Sequence, residues 1–236
     1  MKKISCTSCT NSNCFIKKYC SVEWIGKVDA LKHQISIKKD GYVIYEESPV
    51  LGIYLIQEGK VKVISTGIND KQQIVRFAND GHILGHRGKA NDVYPIGAIA
   101  MEDSLICFIE NNNLNEIFKG NPDLTIAIMS FYSRELRRAE NRIKNIAQMD
   151  NREKVAEALL LINEIFGSNK DRELNVPLTR EDIANTIGTG YMQVARILTS
   201  FEEEGIIAKN GRKIAILDIP ELQNIISEYN PHVIPN

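Results

Sequence analysis

Apolar residues change their spacing along the chain, and each change predicts a different kind of element. From Ile35 to Ile109 they come in short runs broken by glycine and polar turns. The runs are Ile35–Ile37, Tyr42–Tyr45, Ile53–Ile56, Val61–Ile64, Gln73–Phe77, Ile83–Leu84, Ile96–Ile99 and Leu105–Ile109. Short runs at roughly ten-residue spacing, with tight turns at Glu58-Gly59 and Asp80-Gly81, predict about eight strands of an all-β roll or sandwich. A short helix is expected before them over 23–34, and another after them over 111–120. Pro122, suited to a first helical turn, then opens a long helix reaching about Asp150. Along it Met129, Tyr132, Leu136, Ala139, Ile143 and Ile146 recur at spacings of three and four. That is the narrow seam of a coiled coil, not the wider stripe of a helix lying on a core. It predicts a parallel homodimer; the plainer alternative is a core helix with a solvated charged face. Met149-Asp150-Asn151 reads as a hinge. A further helix, Arg152 to Phe166, carries Val155, Ala156, Leu159, Leu160 and Ile162, and a short last helix is expected over Glu221–Tyr229.

The stretch Leu178 to Leu217 has its own punctuation. Thr179 can cap a helix and Asp182, three residues on, can return the bond. Ile183, Ala184 and Ile187 share a face, and Gly188 ends this short helix. A second helix follows from about Tyr191 to Glu204, with Val194, Ile197, Leu198 and Phe201 as its buried stripe. Asn210-Gly211 then marks a two-residue hairpin turn between Ile206–Ala208 and Ile214–Ile216. This order predicts a helix-turn-helix with a two-stranded wing, hence binding to double-stranded DNA. Thr179, Arg180, Thr189, Gly190, Tyr191, Gln193 and Arg196 are the expected contacts of the helix pair, because only the leading turns of a recognition helix reach base edges. Arg196 is the strongest base reader, since its planar fork can bond guanine at two points. Lys209, Arg212 and Lys213 cluster at the wing, where phosphates would lie. The plainer alternative is a helix pair and a hairpin with a solvated basic tip.

Charge adds a constraint. The chain carries 29 basic and 30 acidic residues, a formal net charge of −1, and Glu202, Glu203 and Glu204 form an acidic run. DNA binding must come from a local basic face, with the acidic run turned away from it. The hydrophobic share of 43% fits a folded core. With no signal peptide and no apolar run of membrane-spanning length, a cytoplasmic protein without a membrane partner is expected.

Cys6, Cys9, Cys14 and Cys20 crowd into the first stretch, and Cys107 stands apart. In a cytoplasmic chain such a cluster points to a metal site before a disulfide framework. Zinc and an iron–sulfur cluster both want about four sulfur ligands, and spacing does not choose between them. A tail with incidental thiols is the alternative.

The sequence resembles the Crp/Fnr superfamily of bacterial transcription regulators over nearly its whole length. The residues that carry this are Tyr54 to Val63, Glu102-Asp103-Ser104 with Cys107-Phe108-Ile109, and Leu178-Thr179-Arg180 with Val194, Arg196-Ile197-Leu198 and Glu204 to Ile207. The resemblance implies an α+β fold: a cysteine-rich segment (1–22), a cyclic-nucleotide-binding-like β-roll (23–121), a long dimerisation helix (122–150) and a C-terminal winged helix-turn-helix (151–236). It also implies a homodimer on a palindromic promoter site, working with RNA polymerase, that answers a signal at the roll. No enzyme is expected. Members that bind cyclic nucleotides carry Gly-Glu, and Arg-Ser or Arg-Thr some ten residues on. Here Gly85-His86 and Pro95-Ile96 stand instead, so cyclic AMP lacks its cation. Gly85, His86 and Arg87 remain the candidate effector pocket. Tyr191-Met192-Gln193 replaces the glutamate many members place beside the first base reader, which implies a different DNA half-site.

The cysteines resemble those of the oxygen-sensing branch, which holds a [4Fe–4S] cluster on three N-terminal cysteines and one in the roll. Cys14 and Cys20 have the expected spacing and Cys107 falls in the matching strand. The register between the Cys6-Cys9 and Cys14-Cys20 pairs departs from the pattern, so which three N-terminal thiols would ligate stays open. Other readings are a constitutive or small-ligand-controlled regulator without metal and, remotely, a metal-dependent cupin-type enzyme using His82 and His86.

Overall fold

The computed structural model describes residues 4–86 and 92–229. The strand-like runs form β1 (His33–Ile37), β2 (Tyr42–Ile44), β3 (Gly52–Glu58), β4 (Val61–Thr66), β5 (Gln72–Ala78), β6 (Ile83–Leu84), β7 (Gly97–Ala100) and β8 (Ser104–Glu110). They make two four-stranded antiparallel sheets, ordered β1-β8-β3-β6 and β2-β7-β4-β5. Ile56, Leu84 and Ile106 of the first sheet meet Val43, Val61, Val63 and Ala98 of the second in one core. The first sheet is covered on its other face too, which is why β3 and β8 read as near-continuous apolar runs. Ile53, Leu55 and Ile109 point outward there, against helices.

Those helices are α1 (Phe15–Tyr19), α2 (Val22–Leu31), α3 (Asn111–Gly120) and the start of α4 (Pro122–Gln148). α1 is too short to show a helical period and was not expected. The helix expected over 23–34 stops at Leu31, because Lys32 turns extended and His33 pairs with Phe108 in β1. Compact packing divides the chain within α4 into Met1–Leu136 and Arg137–Asn236. Among the described residues, no helix is long and apolar enough to cross a membrane.

The second unit holds α5 (Asn151–Phe166), α6 (Arg180–Ile187), α7 (Tyr191–Glu203), β9 (Ile207–Asn210), β10 (Lys213–Ile216) and α8 (Ile219–Ile225). Asp150 opens α5 with a capping box on Glu153. Val155, Ala156, Leu159 and Ile162 are buried in α5 as its period required, joined by Ala158, while Leu160 is only half-buried. In the hairpin Lys213 pairs with Asn210, so the turn residues are Gly211-Arg212, one step later than Asn210-Gly211. Gly211 takes φ +62°, and glycine first is the arrangement of a type II′ turn. The last helix starts and ends earlier than expected: Asp218 caps it by accepting from Glu221 N at 2.9 Å.

Candidate nucleic-acid interface and cysteine layer

Thr179 and Asp182 form the reciprocal cap at the start of α6. Thr179 Oγ1 accepts from Asp182 N at 2.9 Å, and Asp182 Oδ2 accepts from Thr179 N at 3.0 Å and from Thr179 Oγ1 at 2.7 Å. Since Asp182 is buried and its partner hydroxyl is lost, Thr179→Ala is expected to cost about 1–2 kcal/mol. A thermal or urea melt of the variant would measure it. Gly188 closes α6 in the left-handed region, at φ +71°.

α7 follows with Val194, Ile197, Leu198 and Phe201 buried. That burial turns Tyr191, Met192, Gln193 and Arg196 outward as one exposed face. A Cβ added at Gly190 would meet nothing within 4 Å, so the approach to this face is open. Arg180, Arg196 and Arg212 are at least partly exposed and make no ion pair among the described residues. Thr189 and Gly190 lie beside them on the accessible side. Two of the wing cations are not free-standing. Lys209 folds back on α7, to Glu202 at 2.9 Å and Thr199 Oγ1 at 3.1 Å, and Lys213 pairs with Glu173 at 2.8 Å.

The acidic run is largely occupied within the unit. Glu202 holds Lys209, and Glu204 receives both Arg152 guanidinium nitrogens, at 2.9 and 2.6 Å. Those hydrogen bonds hold both carboxyls below the usual range. The sequence carried no signal for the Arg152 clasp, nor for Arg142, whose guanidinium donates to Thr186 O at 2.5 Å in the last turn of α6. Those two contacts fasten α5 to α7 and the end of α4 to α6.

In the first unit, Cys6, Cys14, Cys20 and Cys107 pack into one apolar layer on the outer face of the β1-β8-β3-β6 sheet, among Ile53, Leu55, Ile109 and Ile117. Strand alternation explains Cys107: Ile106 faces the roll's core, so Cys107, opposite Leu55, faces the helices. Cys9 is not in this layer. The N-terminal segment is docked by polar contacts. Ile4 N donates to Gln34 Oε1 at 2.7 Å, Cys6 N to Asp29 Oδ1 at 2.7 Å, and Asn11 Nδ2 to Gln57 O at 2.8 Å. A Cβ at Gly81, whose φ is +87°, would lie 2.4 Å from the Asn13 carbonyl group. All five cysteines are unpaired thiols. Burial pushes the Cys107 thiol up to about 11, and the neighbouring Cys14 and Cys6 add to that. Burial, and then Cys6, raise Cys20. Among the described residues, no three Cys, His, Asp or Glu side chains stand close enough together to clasp a single ion.

The effector candidates are divided. Arg87 lies outside the described residues. Gly85 and His86 border two spaces. One, inside the roll with Val63, Arg76, Leu84 and Ile96, is about 10 Å³. The other, about 170 Å³, lies under β3, α3 and α4 and is walled by Ile53, Leu114, Phe118 and Ile128. His82 is exposed, and its Nδ1 accepts from Asn79 N at 3.2 Å. His86 is buried edge-on against Phe131 and Tyr132, at centroid distances of 5.0 and 5.5 Å. Arg76 pairs with Glu135 of α4 at 2.9 Å, where a charged pair is nearly sealed from water.

Comparison with known proteins gives the same two-part division. Residues 153–225 match the Crp-like helix-turn-helix domain family and residues 34–121 the cyclic nucleotide-binding domain family. The chain is similar to the transcriptional regulatory protein btr of Bordetella pertussis, at 25% identity over 94% of this chain and 93% of that one. It is similar to the transcriptional activator protein anr of Pseudomonas aeruginosa, at 24% identity over 92% and 90%. Among solved structures, FixK2 from Bradyrhizobium japonicum shares the fold with a TM-score of 0.74 and 22% identity, covering 82% of this chain and 96% of that one.

Proposed function

Since the chain belongs to the Crp/Fnr family of transcription regulators and is not an enzyme, we propose that it acts as a homodimer on a palindromic DNA site, under the control of a redox-labile iron–sulfur cluster on Cys6, Cys14, Cys20 and Cys107. The observation that carries the cluster is convergence. Cys6, Cys14 and Cys20 of the N-terminal segment and Cys107 of β8 pack against one apolar cluster, Cys6 buried and the others half-buried, and Cys9 is not part of it.

The donor set suits the group. Four sulfur side chains match the ligand number of a [4Fe–4S] cluster, which spreads them over separate irons instead of drawing them onto one ion. An apolar wall limits solvent access. Once bound, such a cluster would supply oxygen sensitivity, because its loss removes four covalent ties from the layer. The chain's own residues then carry the change to α4. Phe15, next to Cys14, packs edge-on against Phe131 at 5.9 Å. Phe131 in turn meets His86, and Arg76 lies 5.9 Å from its ring while holding Glu135. A shift of Cys14 therefore moves Phe15 against a helix that is fastened to the roll one turn further on. This is a population shift between two placements of α4, with the liganded layer favouring the pairing one.

DNA contact is assigned to the open face of α7 at Tyr191, Gln193 and Arg196, to Thr179, Arg180, Thr189 and Gly190 around it, and to the wing. Within the wing Arg212 is the foremost phosphate contact, and Lys209 and Lys213 reach DNA only by giving up their carboxylates. Cyclic AMP is not the signal in this reading, since Pro95-Ile96 stands where a cation would pair the cyclic phosphate. A second reading, control by a small apolar ligand, draws on the 170 Å³ space under α3 and α4. Ligand-dependent DNA affinity in cluster-free protein would favour it.

Iron and acid-labile sulfide should be measured on protein prepared without oxygen. About four of each per chain are expected. Cys9→Ser should keep them, whereas Cys6→Ser, Cys14→Ser, Cys20→Ser and Cys107→Ser should each lose most of the iron. Wild-type protein with neither iron nor sulfide would sink the cluster reading. Loss in Cys9→Ser with retention in Cys6→Ser would reassign the ligand.

A further inference from the structure

Lys32 is a lysine where the sequence offered no reason for one. It sits just after α2, only 3% exposed. Leaving an ammonium in such a place is costly unless each proton finds a partner. All three do. Nζ donates to Ile4 O at 2.8 Å, pairs with Asp29 Oδ1 at 3.1 Å, and donates to Cys6 Sγ at 3.3 Å. The first two are ordinary partners. The third is not, because a neutral thiol is a weak acceptor and a thiolate a strong one.

We infer that Lys32 is a charge-compensating positioning residue for the thiolate site, aiming one N–H at the Cys6 sulfur and its positive charge into the cysteine layer. The inference rests on the cluster reading proposed for these thiols. The ion pair has the orientation such a role needs, since its carboxylate, Asp29, is 27% exposed while the ammonium is inside. Four thiolates around an iron–sulfur core leave net negative charge in an apolar wall, and an inward cation offsets part of it. Net charge and hydrogen bonds to sulfur are among the quantities that set a cluster's potential.

The test uses full-length protein reconstituted without oxygen, with two readouts. One is the midpoint potential of the one-electron couple, titrated with dithionite. The other is the rate of iron loss to a chelator. Lys32→Gln should move the potential in the negative direction and speed iron loss about 10- to 100-fold, the range typical of lost outer-shell partners. Lys32→Arg should restore most of both. Asp29→Asn keeps an oxygen for Cys6 N but removes the outward carboxylate, so it should move the potential in the positive direction. That variant decides the matter if Lys32→Gln does not fold. Opposite shifts in the two variants support the inference. Unmoved potentials in a wild-type protein that does hold a cluster would overturn it alone. A wild-type protein without iron and sulfide would overturn it together with the reading beneath it.

Discussion

Arg196→Ala is expected to lower affinity for the specific DNA site by about 2 kcal/mol or more, roughly 30-fold, because a dimer loses one bidentate base contact in each half-site. Arg196 stands on the outward face of α7 without an ion pair among the described residues. Among the described residues no side-chain hydrogen bond or ion pair depends on it, so thermal stability should stay at the wild-type value. The site is first selected from random duplexes. Affinity is then measured by fluorescence anisotropy across substitutions at each position. Arg196→Ala should flatten discrimination at one position per half-site. Arg212→Ala should behave differently, weakening all duplexes alike and reducing the salt slope, as loss of a phosphate contact does. If Arg196→Ala left both affinity and the sequence preference unchanged, α7 would not be reading bases through this residue.

Much of this site was legible because local signals agree there. Thr179 and Asp182 announce a cap, Gly188 a helix end, and the spacing of Val194, Ile197, Leu198 and Phe201 fixes which way Arg196 points. The strands of the roll were legible for the same reason, through short apolar runs and glycine turns. What the sequence hid are relations between distant residues. Lys209 and Lys213 look like free wing charges until Glu202 and Glu173 are found beside them. The hairpin turn shifted by one residue because register is set by pairing of Lys213 with Asn210, not by the Asn-Gly dipeptide alone. Among the N-terminal cysteines, spacing left open which three would be ligands, and so did not tell Cys6 from Cys9. Burial separates them, through the docking of Cys6 on Asp29 and Lys32. α1 was invisible because five residues cannot display a period.

The proposed dimer depends on a face that the monomer leaves bare, and Leu136→Glu is expected to abolish it. Met129, Leu136 and Ile143 are 66%, 62% and 69% exposed on α4, and Ile146 is 37% exposed. Such a row of apolar side chains at spacings of three and four needs a partner of the same pattern, and a second copy of this chain supplies one. Tyr132 is partly committed already, since its hydroxyl donates to His86 O at 2.7 Å. Leu136 is therefore the cleaner position. A glutamate there would be water-exposed in the monomer and buried opposite its own copy in a dimer, where two unpaired carboxylates cost several kcal/mol. Dimer affinity should fall by about 3 kcal/mol or more, at least roughly 100-fold, with the melting curve of dilute monomer unchanged. Sedimentation velocity across a concentration series would measure it. With two half-sites about one DNA turn apart gripped together, as proposed, the monomer should also lose most affinity for the palindrome while keeping its weak affinity for a single half-site. Arg134→Glu, on the opposite side of the same helix, is the control and should leave the dimer intact. A Leu136→Glu protein that stays dimeric and binds the palindrome normally would move the interface off this face of α4. The solvent-facing row would then need another partner.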